Sequence, residues 1–254
     1  MKIKMVKKDG KKLTFILEGS SPAFANALRR IMQSEIPVLA VKWIDVHENT
    51  SILFDEMIAH RIGLIPLIAD PEKFNFSEEC KCGGKGCSLC QVSFIIEKRG
   101  PCTVYSGDMI SSNKTVKPLS PDFPIVELLE GQSIRLEAVA RLGIGKEHAR
   151  HQAAIVGYQY WPEIAKTGEG ADKAAKKCPK DILEVSGKKV LLKDPVKCDM
   201  CRACEPEINI KGDESKFIFR IESVSGLEPD YIVKKAAEIL IGKAEEFKKL
   251  LSKA

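Results

Sequence analysis

SSPAFANALRRIMQSEIP, residues 20–37, reads as a single helix with both ends marked. Ser20 or Ser21 can cap the first turn, Pro22 suits the first helical position, and Pro37 stops the element. Between them Phe24, Leu28, Ile31 and Met32 recur on one face, so the helix must lay an apolar stripe on something. On its N-terminal side, MKIKMVKKDGKKLTFILEG gives two short β-like runs about an Asp9-Gly10 turn signal and predicts a hairpin. On its C-terminal side, VLAVKWIDVHEN alternates as a strand does. FDEMIAHRIGLIPL then reads as a short helix ended near Gly63, with Pro66 beyond it.

The far end of the chain repeats this pattern. The strand FIFRIESV leads into a long helix starting near Pro229, with Ile232, Val233, Ala236, Leu240, Ala244, Phe247 and Leu251 as its apolar stripe and Lys and Glu opposite. Two strong helices near opposite ends imply a discontinuous domain made from residues 1–48 and 214–254. Between them, 49–165 holds short strands such as VSFIIEK, CTVYS, SIRLEAVARL and AIVGYQYW, separated by Gly, Pro, Asn and Ser clusters, which predicts a β-rich insert. Residues 166–213 open with the lysine-rich KTGEGADKAAKK and contain DILEVSGKKVLL, a predicted hairpin about Ser186-Gly187. The expected fold class is therefore α+β: a discontinuous α/β domain from both chain ends, with an inserted β-rich domain and a cysteine module.

Composition excludes more than it selects. No stretch of the 254 residues approaches the roughly 20 apolar residues of a membrane span, and the lysines of the first segment precede no signal-like apolar run, so an intracellular, cytoplasmic chain is expected. A net charge of +5, from 40 Lys and Arg against 35 Asp and Glu, is interleaved rather than gathered into a stripe. That speaks against tight direct binding of nucleic acid. RLGIGKEHARHQAA lacks the Gly-Lys-Ser/Thr ending of a phosphate loop, and its His148 and His151 alone are poor evidence for a metal. No nucleophile-base pair and no triple-aspartate motif are present, so no active site of its own is expected.

The nine cysteines fall as Cys80, Cys82, Cys87 and Cys90, then Cys102 alone, then Cys178 with Cys198, Cys201 and Cys204. Four, one and four suggest two metal sites and a spare thiol rather than a disulfide framework. CKCGGKGCSLC, residues 80–90, suits tetrahedral zinc on four thiolates, the alternatives being a second cluster or a metal-free loop. KCDMCRACEP, residues 197–206, spaces three cysteines as iron-sulfur proteins do, and the fourth ligand must come from elsewhere. In two-cluster ferredoxins each run ends in Cys-Pro, and that last cysteine binds the other cluster. Cys178-Pro179 is such an ending without its run, whereas Ile208 stands where the second run should end. These four cysteines make a ligand set for one cluster, 4Fe-4S or, on the run alone, 3Fe-4S, with structural zinc on the same thiolates as the competing reading. Residues 166–213 are accordingly expected to form a ferredoxin-like iron-sulfur domain.

FANALRRIMQSEIPVLAVKWIDVHENTSILFDEMIAHRIGLIPL, residues 24–67, closely resembles the assembly-platform subunits of cellular RNA polymerases, the alpha family. GIGKEHARHQ, residues 143–152, resembles the second stretch shared by archaeal and eukaryotic members, and with the cysteine module the likeness is to the archaeal D-type subunits. The resemblance implies a non-catalytic subunit of DNA-directed RNA polymerase, a nucleotidyltransferase complex that acts in transcription. It implies heterodimerisation with a small L-type subunit and recruitment of the large catalytic subunits and other small ones, with DNA met only through the complex and no membrane. It assigns the dimer and assembly surfaces to Phe24, Leu28, Arg29, Arg30 and Ile31 and to the last helix, with Ile232, Ala236, Leu240 and Phe247. Gly145, Lys146, Glu147 and His148 would face a large subunit. A ferredoxin-like electron-transfer protein, or a redox-sensing regulator of assembly, is the alternative reading.

Overall fold

The computed structural model describes residues 1–186 and 189–253. In chain order its elements are β1 (Lys2–Asp9), β2 (Lys12–Glu18), α1 (Pro22–Ser34), β3 (Val38–Asn49), α2 (Asp55–Gly63), β4 (Leu67–Ile68), β5 (Gln91–Arg99), β6 (Cys102–Tyr105) and β7 (Ile110–Ser111). There follow β8 (Lys117–Pro118), β9 (Pro124–Leu128), β10 (Ser133–Gly143), β11 (Ala154–Thr167), α3 (Ala171–Lys176), β12 (Leu183–Ser186), β13 (Lys189–Leu192), β14 (Ile208–Ser223) and α4 (Pro229–Leu251). The chain is a mixed α+β protein with several antiparallel sheets. No described helix is long and apolar enough to cross a membrane.

Contacts divide the chain into two compact units, residues 1–29 with 156–221 and residues 30–155 with 222–254, so that one boundary falls inside α1. The first unit is built on the sheet β1-β2-β14-β11. Hairpin β1/β2 turns at Gly10, whose φ of +53° suits glycine. β2 is buried on both faces at Phe15, Ile16 and Leu17, as a central strand should be. Phe15 stacks on Phe219 of β14 with ring centroids 4.9 Å apart, and Tyr158 of β11 lies edge-on to Phe217 at 5.6 Å. The alternation in AIVGYQYW marks a strand correctly, but its place in the sequence groups it with the inserted strands. β11 pairs with β14 instead, because periodicity reports a strand's faces and not its partner.

The same unit carries the segment from Gly168 to Glu207. α3 is not apparent in the sequence, since KTGEGADKAAKK is short and polar, yet Ala171, Ala174 and Ala175 bury one face of it. The β12/β13 hairpin pairs Leu183 with Leu192 and Ser186 with Lys189. The expected turn at Ser186-Gly187 reaches Gly187, which lies outside the described residues.

The second unit is built on the sheet β3-β10-β5-β7, with β4/β8 and β6/β9 as small antiparallel pairs beside it. β10 runs through the middle, and its Leu136, Ala138 and Ala140 meet Val92, Phe94 and Ile96 of β5 and Ile58 and Ile62 of α2 in one core. Each fully buried Ile or Phe there contributes about 1.5–3 kcal/mol relative to exposure. Gly226 passes so close to the Leu67 carbonyl that a side chain would collide with it. α4 belongs to this unit. Its Ile232 and Ala236 are fully buried, Lys235 pairs with Glu72 at 3.5 Å, and Lys243 pairs with Glu35 at 2.5 Å.

Candidate metal centres and assembly surfaces

In the loop Cys80–Cys90 the chain reverses on three glycines with positive φ, Gly83, Gly84 and Gly86, and on the turn bond from Gly83 N–H to the Cys80 carbonyl at 2.9 Å. The reversal gathers the four sulfurs within 4.8 Å of one another. Cys80 and Cys87 are 3.6 Å apart, as are Cys82 and Cys90, with Cys87 and Cys90 at 3.8 Å. Four thiolates about 2.3 Å from a tetrahedral ion have sulfur-sulfur edges of about 3.8 Å, so the cage already has the dimensions of a single-ion site. Hydrogen bonding from Cys80, and from the Gly86 backbone, lowers the Cys82 thiol to about 6, whereas burial pushes Cys90 up to about 12. The Cys87 N–H points at the Cys90 sulfur at 3.3 Å. From β10, Arg141 reaches the Gly84 carbonyl at 3.4 Å and Gln91 Oε1 at 2.8 Å while lying over the Trp43 ring, which ties the loop to the sheet. Cys102 stands apart, its thiol directed at the Arg99 carbonyl.

Cys178, Cys198, Cys201 and Cys204 meet differently. They line one pocket, partly open to solvent, with Pro179 and Ile210 among its walls. Cys198 and Cys204 are buried, Cys178 is half-buried and Cys201 is exposed. Among the described residues only the 80–90 thiols are close enough to share one ion, so this wider set does not form a zinc-sized cage. A cubane cluster holds its thiolates farther apart than a single ion does. Met200 (φ 53°) and Arg202 (φ 63°) adopt the left-handed region between the cysteines, and Asp181 (φ 49°) does so just after Cys178. Burial raises the thiol pKa of Cys198 and Cys204, and neighbouring sulfurs add to both shifts. Within the run the Met200 N–H acts the other way on Cys198, as an amide donating to the sulfur does.

The spacing of a two-cluster ferredoxin can also be laid on the upstream segment. A run ending at Cys178-Pro179 counts back to Ala174, Ala171 and Gly168, and its fourth partner would be residue 208. Ala171, Ala174 and Ile208 lie together in one apolar cluster with Ala175, Leu183 and Val190, and the Gly168 N–H bonds the Glu207 carbonyl at 2.7 Å. These four positions are thus neighbours, with Ala171, Ala174 and Ile208 packed together.

The residues expected at assembly surfaces are divided by burial. On α1, Leu28 and Ile31 are buried within the chain, Phe24 and Arg29 are half-buried, and Arg30 is exposed. On α4, Leu240 is half-buried, and every residue from Ile241 to Leu250 is exposed, including Ile241, Phe247 and Leu250. The stretch 143–152 proves to be a brace. Lys146 N–H bonds the Ser34 carbonyl at 2.8 Å, capping the end of α1, where a side chain at Gly145 would press on the Gln33 carbonyl. His151, 3% exposed, packs against Gly143 and donates Nδ1–H to the Val38 carbonyl at 2.9 Å, and Arg150 holds the Val41 and Lys42 carbonyls at 2.8 and 2.9 Å. Lys146, Glu147 and His148 remain exposed above it. Neither His148, whose Nδ1 accepts from the Arg150 N–H, nor His151 belongs to a metal cluster among the described residues.

Two polar residues at the cysteine loop escape a reading of the sequence. Gln159 Nε2 donates to the Cys198 carbonyl at 2.7 Å, and Arg220 donates to the Val196 carbonyl at 2.6 Å and to Gln159 Oε1 at 2.8 Å. Arg220 interrupting FIFRIES is the signal available in the sequence.

Residues 44–157 match the family described as the RNA polymerase Rpb3/RpoA insert domain. Over nearly the full length the chain is similar to DNA-directed RNA polymerase subunit Rpo3 of Archaeoglobus fulgidus, 39% identical with 94% of each chain covered. It is 40% identical to that of Methanosarcina acetivorans, with 99% of this chain and 98% of the relative covered, and 40% identical to that of Methanothermobacter thermautotrophicus, with 97% of each. The label carried by these relatives is Rpo3 rather than the D-type label, and the family is the one the sequence suggested. The chain belongs to the Rpo3 subunits of archaeal DNA-directed RNA polymerase, the assembly-platform subunits of the RpoA/Rpb3 family.

Proposed function

We propose that this assembly platform pairs with a small L-type polymerase subunit through residues of α1 and the outer half of α4, and that the pair then recruits the large subunits. The observation that carries the reading is the division within α4: Ile232 and Ala236 are buried in the chain, whereas Ile241, Phe247, Leu250 and Leu251 project from it. A helix that continues past its own core with apolar side chains exposed is built to be covered. Lys146, Glu147 and His148, held out by the brace under Gly145, are the proposed contact with a large subunit. Such a subunit meets DNA only through the assembled enzyme and works in the cytoplasm.

Both cysteine sets have structural roles in this reading. Cys80, Cys82, Cys87 and Cys90 hold one zinc ion, and Cys178, Cys198, Cys201 and Cys204 hold one iron-sulfur cluster in a ferredoxin-like module. Bound there, the cluster supplies iron-thiolate bonds that cross-link Cys178 to a run twenty residues further on. The chain's own residues shape the seat: Met200 and Arg202 turn the loop, and burial of Cys198 and Cys204 limits access of water. The test is anaerobic co-expression with an L-type subunit, followed by size-exclusion and analysis for iron, sulfide and zinc. Co-elution with one cluster and one zinc is expected. A chain that stays alone and assembles with no other subunit would overturn the scaffold reading.

A further inference from the structure

Residues 194–198 lead into the cysteine run as a tight turn. Asp194 accepts from the Val196 N–H at 3.1 Å, and the Cys198 N–H bonds the Pro195 carbonyl at 3.3 Å. The carbonyls of Val196 and Cys198, two residues apart, both point to the sheet, where Arg220 of β14 takes the first and Gln159 of β11 takes the second. The two side chains are themselves joined. One arm of the guanidinium holds Gln159 Oε1 at 2.8 Å, which fixes the amide so that its NH₂ end faces Cys198. A peptide whose carbonyl is drawn outward presents its other side, and the N–H groups beyond it, to the cavity. There the left-handed residues Met200 and Arg202 carry the chain around the pocket that the four cysteines line.

We propose that Gln159 and Arg220 are positioning residues of the iron-sulfur site: by holding the Val196 and Cys198 carbonyls against the sheet they set the course of the loop and aim the Cys198 sulfur and the peptide N–H groups beyond it at the cluster. The inference rests on the cluster reading above. Hydrogen bonds to sulfur favour the more negatively charged, reduced cluster and raise its potential, so loosening this loop lowers the potential as well as the hold on iron.

The experiment uses the full chain with its small partner subunit, reconstituted anaerobically with iron and sulfide, comparing wild type with Gln159→Leu, Gln159→Glu, Arg220→Ala and Arg220→Lys. Read-outs are the rate of iron loss to a chelator, the reduction potential and the electron paramagnetic resonance spectrum of the reduced state, beside the melting curve. Losing one charge-assisted hydrogen bond corresponds to roughly tenfold. Iron loss about that much faster, with a lower potential, is expected for Gln159→Leu and Arg220→Ala. Arg220→Lys should not rescue, because an ammonium cannot hold Val196 and orient Gln159 with one planar fork. Gln159→Glu keeps the shape but loses the donor to Cys198, so it should resemble Gln159→Leu at the cluster and covers the case in which Arg220→Ala fails to fold. Variants that load normally and match wild type in iron loss, potential and spectrum would overturn the proposal, as would a lowered melting temperature with those three unchanged. A wild type that takes up no iron overturns the cluster reading itself, a separate result.

Discussion

Two substitutions on one helix should have opposite signatures. Ile232 is fully buried within the chain, and Phe247, about four turns further along α4, is 64% exposed. Ile232→Ala removes buried methyl groups from a packed core and should cost the isolated chain about 2–5 kcal/mol. Phe247→Ala removes little the chain itself uses, so its unfolding midpoint should stay within about 0.5 kcal/mol of wild type. Pairing reverses the order. Fully burying a Phe contributes about 1.5–3 kcal/mol, and the 64% still exposed here leaves about 1–2 kcal/mol to be gained from a partner, or roughly 5–30-fold in affinity. The assay is urea unfolding of the chain alone beside titration of each variant with the small L-type subunit. Equal destabilisation of the isolated chain by both variants, or unchanged pairing of Phe247→Ala, would refute the division of α4 into a core half and a partner half.

Other perturbations test the remaining sites. For the zinc proposed in the 80–90 loop, Cys90→Ser should abolish metal binding while Cys102→Ser leaves the metal content unchanged, as read by metal analysis of the purified chain. Gly145→Ala places a methyl carbon 2.7 Å from the Gln33 carbonyl and 3.2 Å from the Ser34 Cα, both backbone atoms, and should destabilise the chain by about 1–3 kcal/mol in urea unfolding. Burial holds the His151 imidazole below its ordinary 6.5 in the folded chain. The unfolded state therefore takes up the proton first, so the contribution of this group is complete above about 6.5 and is lost as pH falls toward the folded value. His151→Gln should flatten the fall in stability between about pH 7 and 5, and an unchanged profile would assign that fall to other groups.

Local structure is legible wherever a segment carries its own period and its own stops. Pro22 and Pro37 bracket α1, Asp9-Gly10 turns β1 into β2, and VLAVKWIDVHEN is β3 residue for residue. Partnership is less legible, because it is settled by contacts distant in sequence. β11 shows this, and so does GIGKEHARHQ, whose glycines look like a phosphate loop's but serve close approach: Gly143 to His151, and Gly145 to the end of α1. The clamp from Gln159 and Arg220 could not be read from either residue alone, since each gains meaning only when β11 and β14 lie side by side.

The cysteine module shows why spacing alone leaves a choice open. A three-residue repeat of cysteines, at Cys198, Cys201 and Cys204, has its loop turned through left-handed residues so that the sulfurs face one cavity. The same repeat counted back from Cys178 falls on Ala174, Ala171 and Gly168, and there Ala171 and Ala174 lie in a helix. Residues three apart lie near one another on a helix surface, so the spacing that would present thiolates to a cluster presents small apolar groups on one face. Those alanines close against Ile208, the residue at the position of the missing fourth ligand. No position of one ligand set carries a thiol and every position of the other does, which is the pattern expected if each set answers to its own cluster. One half of the module closes on apolar side chains, with the Gly168 N–H to Glu207 carbonyl bond beside them. The other half, with Cys198 and Cys204 buried and all four cysteines lining one partly open pocket, is the half to which the proposed cluster is assigned.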